Sequence, residues 1–378
     1  MTMKRLRVFA AALFALLAAA RADDSSYAVT VLGDLHYDAA PVDRFHDTNR
    51  FTKAKFSTFN RVTNMWKEEI MGVLEASAKC VGMNTAFVLQ LGDLIDGNSG
   101  SYDCHTQFLA AATAVLEGVY GGLPLISVCG NHDIWGNAGS PKVDRFDGGA
   151  SGAYRDFMVP WQSRQVARLT TNAVTSTTFG FRHGPDMWVF IDFNEGARTV
   201  ETVKRLLADN PGTRYTFVAI HAPVLPMDLW KIRWFYLGWE HYDRQRREIR
   251  ELLAKREAIV LSGHAHTLEY KDWYGDGGRI TEMVVNSVPR YPNGKPKSAE
   301  PRVLTEATDD YGTWLAKKPP SEGNERYNAL YEEYRPGLKS RYGASAVGHC
   351  ILRVSDSGVA LEYYGRDATT PTKTFTLR

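Results

Sequence analysis

The sequence predicts an α/β protein in which two sheets pack face to face with helices on the outside. Three observations carry this. Short apolar runs alternate with stretches of helical periodicity through the first two thirds of the chain. Five of those runs (Ala28 to Leu32, Phe87 to Leu91, Leu125 to Val128, Phe217 to Ile220, Ala258 to Leu261) each stop at a polar cluster. Strand patterns then dominate the remainder, which supplies material for a second sheet.

The elements follow in order. The runs just named read as strands buried on both faces. Phe59, Val62, Trp66, Ile70 and Val73 recur every three or four residues and predict a long amphipathic helix. His105 to Val119 predicts a second helix, rich in Ala. Between Ile134 and Val174 the pattern lapses into Gly, Ser and mixed charge, which reads as a long surface excursion from the rim of the polar clusters. Strands resume at Thr177 to Arg182 and Met187 to Asp192, and helices are expected over Thr199 to Ala208 and Glu240 to Arg256. Arg244-Gln245-Arg246-Arg247, with Glu248, Arg250 and Glu251, reads as a solvated face carrying i,i+4 pairs. Leu268 to Tyr274 and Ile280 to Val288 read as strands returning through the second sheet. Pro289 to Ser321 reads as an irregular linker, and Glu322 to Arg335 as a charged helix stopped by Pro336-Gly337. Cys350 to Val354, Val359 to Tyr364 and Thr374 to Leu377 are expected to complete the second sheet.

The polar clusters are Gly33-Asp34-Leu35-His36, Gly92-Asp93, Gly130-Asn131-His132-Asp133, His221, and Gly263-His264-Ala265-His266. Five of the ten histidines lie in them, so their placement is not diffuse. Groups just past the carboxyl ends of strands in an α/β fold converge on one crevice. Imidazole, carboxylate and amide oxygen together suit divalent metals such as Zn, Fe or Mn. Taken singly, each cluster has a plain reading: a turn aspartate, a helix cap or a core histidine. All five in order, each closing a strand, favour the metal.

These clusters resemble the calcineurin-like metallophosphoesterase superfamily, whose pattern is GDxH, GD, GNH[DE], a lone His and GHxH. The resemblance spans roughly residues 27 to 290. It implies a four-layer α/β/β/α sandwich of two mixed sheets flanked by helices. It also implies two metal ions, one held by Asp34, His36 and His266 and the other by Asn131, His221 and His264, with Asp93 bridging both. His132 would act beside them as a proton donor or charge stabiliser, and Asp133 would orient it. Two such cations clamp a phosphate and lower the pKa of a water, giving a hydroxide that attacks phosphorus in line. Purple acid phosphatases carry a Tyr ligand three residues after the bridging Asp. Asp96 stands there in this chain, which disfavours the tyrosinate subgroup and suggests a partner for a ligand histidine or a turn cap.

Residues 1–22 read as a secretory signal peptide: Lys4, Arg5 and Arg7, then the apolar stretch Val8 to Ala20, then Ala20-Arg21-Ala22. The expected organisation is therefore this leader, a catalytic domain over 23–290 with an insert at 134–174, and a C-terminal extension over 291–378. The expected location is secreted or periplasmic, with no transmembrane segment after cleavage. Without the leader, 41 basic residues face 43 acidic ones, a balance that argues against nucleic acid as partner. The span of about 20 Å between the two ends of the second strand argues against a Cys80–Cys104 disulfide. Cys129 reads as a buried thiol. Met227 to Trp239, dense in aromatics just past His221, could wall the crevice, pack onto the domain or touch a membrane surface.

The resulting expectation is an exported dimetal enzyme acting on a small phosphate ester, with a phosphodiester or nucleotide-type substrate ahead of a monoester. The alternatives are a phosphomonoesterase, a hydrolase of non-phosphate esters and a non-catalytic metal-binding module.

Overall fold

All five apolar runs are strands, and they fall into two sheets. The computed structural model describes residues 25–37, 66–97, 99, 102–135, 147–226, 240–289, 297–298, 300–305 and 325–378. Strands β1 (Tyr27–Leu32), β2 (Thr85–Gln90) and β3 (Leu125–Ser127) run parallel. With β12 (Gly348–Ser355), β13 (Gly358–Gly365) and β14 (Lys373–Thr376) they form a six-stranded sheet of order β14-β13-β12-β1-β2-β3. The second sheet contains β4 (Phe179–His183), β5 (Asp186–Ile191), β6 (Thr216–Ile220), β7 (Ile259–Ser262), β8 (Leu268–Gly275), β9 (Gly278–Val284), β10 (Arg302–Thr305) and β11 (Leu338–Ser345). Its order is β10-β11-β8-β9-β7-β6-β5-β4, with β5, β6, β7 and β9 parallel.

The alternation of side chains along each strand divides the apolar residues between two faces. Val29, Val31, Phe87, Leu89 and Leu352 from the first sheet meet Trp188, Phe190, Phe217, Leu261 and Met283 from the second in one core. Each such fully buried side chain contributes about 1.5–3 kcal/mol. On the outer face of the first sheet, Leu32, Val88 and Leu125 pack under helices α1 (Met71–Lys79, entered through a π turn at Trp66–Ile70), α2 (Tyr102–Tyr120) and α3 (Asp147–Val166). On the outer face of the second sheet, Val189, Val218 and Val260 pack under α4 (Ala197–Ala208) and α5 (Asp243–Lys255). The result is the expected four-layer α/β/β/α sandwich. A buried polar group ties the sheets at one end: Tyr27 donates to Asp186 at 2.9 Å, and Arg214 donates to the same carboxylate at 2.6 and 3.0 Å.

Four expectations need correction. The three last strands do not complete the second sheet, because β12 pairs antiparallel with β1 and carries β13 and β14 into the first. The second sheet is completed by β11, which the sequence reading missed, and by the short β10 inside the expected linker. Within the excursion expected over 134–174, the described part from Asp147 to Val166 is a helix, and this α3 buries Ala150, Ala153, Tyr154, Met158 and Trp161. Gly148, Gly149, Gly152 and Pro160 mask that periodicity, and tertiary packing overrides their low propensity. Gln165 Oε1 accepts from the Leu125 amide at 3.2 Å, and Gln162 and Trp161 donate to Ser127 O and Glu117, so α3 covers the β3 edge. The basic run on α5 is only partly solvated. Arg246 and Arg250 turn inward, where Glu333 receives both at 2.9 and 2.6 Å. Their guanidinium groups lie over Tyr334, and together they clamp α6 (Glu325–Tyr334) to α5.

None of the four cysteines forms a disulfide, and Cys129 and Cys350 are buried. The expected helix before Trp66 and the aromatic residues 227–239 lie outside the described residues. Among the described residues no helix is long and apolar enough to cross a membrane.

One buried group sets an acid limit on this fold. His349 on β12 stacks on Tyr364 at 5.0 Å, and neither ring nitrogen has a hydrogen-bond partner. Burial lowers its pKa from 6.5 to about 4. A depressed pKa means the unfolded chain takes up this proton first, so the contribution is full above pH 6.5 and is lost as pH falls toward 4. The shift corresponds to about 3 kcal/mol. Urea unfolding of wild type and His349→Phe at pH 7 and pH 4.5 tests this: wild type should lose about 2–3 kcal/mol more than the variant. Equal losses would show that His349 does not set the limit.

Candidate metal centre

The parallel strands β1, β2 and β3 of one sheet and β6 and β7 of the other deliver their carboxyl ends to the same place. Asp34 and His36 follow β1, Asp93 follows β2, Asn131 and His132 follow β3, His221 follows β6, and His264 and His266 follow β7. Asp34, His36, Asp93 and His221 are almost wholly buried.

The donor atoms converge in two groups that share Asp93. Asp34, His36, Asp93 and His266 each present one atom within 4.8 Å of the others, and so do Asp93, His221 and His264. Asp93 Oδ2 lies 3.8 Å from His36 Nε2 and 3.2 Å from His221 Nε2. His36 Nε2 and His266 Nε2 are 3.1 Å apart, and His264 Nδ1 and His221 Nε2 are 2.9 Å apart. Ligands bonded at about 2.0–2.1 Å in a tetrahedral shell sit roughly 3.3 Å from one another, so these spacings fit a cation at each group. Asn131 Oδ1 is 3.2 Å from His221 Nε2 and so belongs with the second group. His36 and His266 fall in one group, and His221 and His264 in the other.

The backbone is bent to achieve this. His36, Asp93, His264 and His266 all have left-handed φ, between 46° and 66°, a conformation that costs an L-residue roughly 1–2 kcal/mol. Hydrogen bonds hold the turns: within the first sheet the His36 amide donates to Asp93 O at 2.9 Å, and between the sheets the His264 amide donates to the Asp34 carboxylate at 3.0 Å. Gln90, a polar residue in an apolar strand, spans Gly33 O and Gly92 O with its amide.

The electrostatics follow from crowding two carboxylates and four imidazoles in a buried space. Burial opposes ionisation of Asp34, yet His266 and His221 hold its carboxyl down to about 2. Asp93 lies well below the usual range against the same desolvation, because His221, His132 and His36 surround it. Burial pulls His221 down, but Asp93 and Asp34 lift it to about 9. His264 is pushed well below 6.5 by burial and by His221, and His266 falls to about 3 by burial despite Asp34. Both carboxylates therefore stay ionised, and cations entering the site displace protons.

His132 lies outside the two groups that share Asp93 but forms a third with His36 and Asp96, its ring edge-on to that of His36 with centroids 4.4 Å apart. Its Nδ1 donates to Asp96 O at 2.9 Å, and its main-chain amide donates to Asp93 Oδ1 at 2.8 Å. Its ring rests against Trp135, with centroids 4.1 Å apart, and is 13% exposed where His36 and His221 are 0%. Asp133 does not orient that ring. Its carboxylate accepts from the Ile95 and Gly130 amides at 3.1 and 2.8 Å, which pins two site loops together. Asp96 takes the orienting position, with Oδ1 3.4 Å from His36 Nδ1 and 3.7 Å from His132 Nδ1. Asp96, Gln90, Trp135 and Lys297 are the site neighbours that the clusters alone leave out or weigh lightly. The polar Gln in an apolar run was the legible signal among them.

Gly92 shows how little slack the site has. Its φ is +85°, and a Cβ there would lie 2.6 Å from His221 Nδ1. Gly92→Ala should destabilise the fold by at least about 1–2 kcal/mol and weaken zinc binding. Gly118→Ala on α2, where a Cβ meets nothing within 4 Å, should be neutral or stabilising by about 0.5–1 kcal/mol. Urea midpoints and zinc titration of both variants check this, and an unaffected Gly92→Ala would disprove the close fit.

The family model for calcineurin-like phosphoesterases matches residues 27–268. No curated protein sequence matches the chain. Among solved structures, PhoD superposes with a TM-score of 0.50 at 10% identity, over 93% of this chain and 68% of that one. A dimetal phosphatase from Danio rerio gives 0.47 at 9% identity, over 93% and 98%. GAP50, the anchor in the inner membrane complex of Plasmodium, gives 0.46 at 12% identity, over 93% and 89%. At such identities the likeness is one of fold. From its match over most of its length, its fold and its five ordered clusters, the chain belongs to the calcineurin-like phosphoesterase family.

Proposed function

We propose that the protein is a dinuclear-metal hydrolase of phosphate esters. The observation that supports this most is Asp93, one buried carboxylate shared by two groups of metal-type donors. Asp34, His36 and His266 would hold one ion, Asn131, His221 and His264 the other, and Asp93 would bridge. Two such ions supply Lewis acidity toward phosphoryl oxygens and a water made acidic enough to react near neutral pH.

The chain's own residues do the rest. Asp34 and Asp93 neutralise the cations, while Asn131 offers an oxygen without adding charge. His132 is partly exposed beside the donors, and with Nδ1–H committed to Asp96 O its Nε2 is left for the substrate side. There it can hold a proton for the departing ester oxygen. Asp96 sets the tautomer of His36 and His132, and Asp133 keeps their loops in register. The preference for a diester or nucleotide-type substrate rests on the aromatic residues 227–239 and on the long insert 134–174. Export rests on the pattern of residues 1–22.

Two measurements test the reading. Asp93→Asn should lose both bound metals and nearly all turnover, and near-normal turnover with two metals bound would remove Asp93 from the bridge. His132→Ala should keep both metals and lower kcat by roughly 10²–10⁴-fold for alkyl or ribose leaving groups, with a smaller loss for p-nitrophenolate. Equal losses across leaving groups would reassign His132 to charge stabilisation. Rates on bis-p-nitrophenyl phosphate, p-nitrophenyl phosphate and p-nitrophenyl acetate, with metals titrated back, separate diesterase, monoesterase and carboxylesterase.

A further inference from the structure

Lys297 is a buried cation that the assignments above leave unused. It is 4% exposed, and its ammonium donates to the main-chain oxygen of His266 at 3.2 Å. The residue is itself held from several sides. Its amide donates to Pro289 O at 2.7 Å, and Ser298 O beside it accepts from the Val347 amide at 3.3 Å. Its carbonyl accepts from Arg366 at 3.3 Å, and Arg366 pairs with Glu69, in the turn that opens α1, at 3.4 Å.

A buried ammonium is costly unless what it touches offsets the desolvation. What it touches here is a strained residue. His266 has φ +53°, and left-handed backbone at a non-glycine residue persists only where its surroundings over-determine it. A charge-assisted bond to the carbonyl is stronger than a neutral one, and it acts on the peptide whose orientation aims the His266 imidazole at Asp34 and His36. His266 Nε2 lies 3.6 Å from Asp34 Oδ1 and 3.1 Å from His36 Nε2.

We infer that Lys297 is a positioning residue for the metal held by Asp34, His36, Asp93 and His266, acting through the His266 main chain. The inference rests on the dimetal reading and ties Lys297 to the one of its two sites that contains His266. Arg366 and Glu69 brace Lys297 in turn, so the C-terminal part of the chain tunes that site.

The test uses full-length protein stripped of metal with a chelator. Zinc is titrated against a coloured competing chelator, and cobalt binding is followed by its visible absorption. Lys297→Met keeps the aliphatic stem but has no donor, and it should weaken one of the two zinc sites by roughly 10–100-fold, the usual effect of losing such a support. The cobalt band of that site should shift while the other stays. Lys297→Arg, which retains N–H donors, should recover most of the affinity. If Lys297→Met binds both zincs as wild type does, or loses both equally, the inference is wrong. If wild type binds no zinc, the dimetal reading fails instead. Should Lys297→Met not fold, Arg366→Met carries the test, because it removes the brace and leaves the ammonium. It should weaken the same single site, and unchanged zinc binding would overturn the proposal.

Discussion

Two carboxylates buried at the end of one sheet must be answered by hydrogen-bond donors or cations, and several of the groups that can answer hang from the other sheet. Asp34 and Asp93 follow β1 and β2, whereas His221, His264 and His266 follow β6 and β7. An isolated buried carboxylate is costly enough to be protonated or left unformed. The sandwich therefore has to close in the register that sets His221 Nε2 at 3.2 Å from Asp93 and the His264 amide at 3.0 Å from Asp34. At the other end of the same strands, Tyr27, Asp186 and Arg214 impose a second polar match between the sheets. Between these two points the core is apolar and compatible with many small slips. The polar ends specify one of them.

The site is also where the fold holds its strain. Four candidate donors adopt left-handed backbone, and Gly92 stands where any side chain would meet His221. A sequence optimised for stability alone would place glycine or asparagine at such turns. The imidazoles and carboxylates are there because the donor chemistry requires them, and the turns are shaped to aim them. Asp133, Gln90 and Lys297 then spend their polar groups on the backbone of those turns.

What was legible in the sequence follows the same division. The five strands and the donors closing them could be read, because a buried parallel strand is a local apolar run and metal chemistry admits few residue types. The sheet to which β12, β13 and β14 belong could not. Strand pairing is nonlocal, and nothing within Cys350 to Val354 says that its partner is β1, more than three hundred residues earlier. Helix α3 was hidden by its glycines and proline, and the inward turn of Arg246 and Arg250 by a charge pattern equally suited to a solvated helix. The exchange of roles between Asp96 and Asp133 is subtler. Both are aspartates near a turn, and only the direction of each carboxylate decides which one meets a histidine.

The C-terminal strands bear on the site through the same nonlocal pairing. Antiparallel β12 shields β1 from becoming an edge strand, and its first residue reaches the turn that launches Asp34. Ser287 Oγ accepts from the Gly33 amide at 3.0 Å and donates to Gly348 O at 2.8 Å, while the Gly348 amide donates to Asn286 O. A Cβ on Gly33 would lie 2.4 Å from Val285 O, so this turn is pressed against the strand end of the opposite sheet. Residues beyond the stretch that carries the family's motifs thus set the position of Asp34 from one side and of His266 from the other. The region expected to be an extension is part of the wall that holds the donors in place. A change in β12 or at Lys297 would act on the donors through the backbone that carries them.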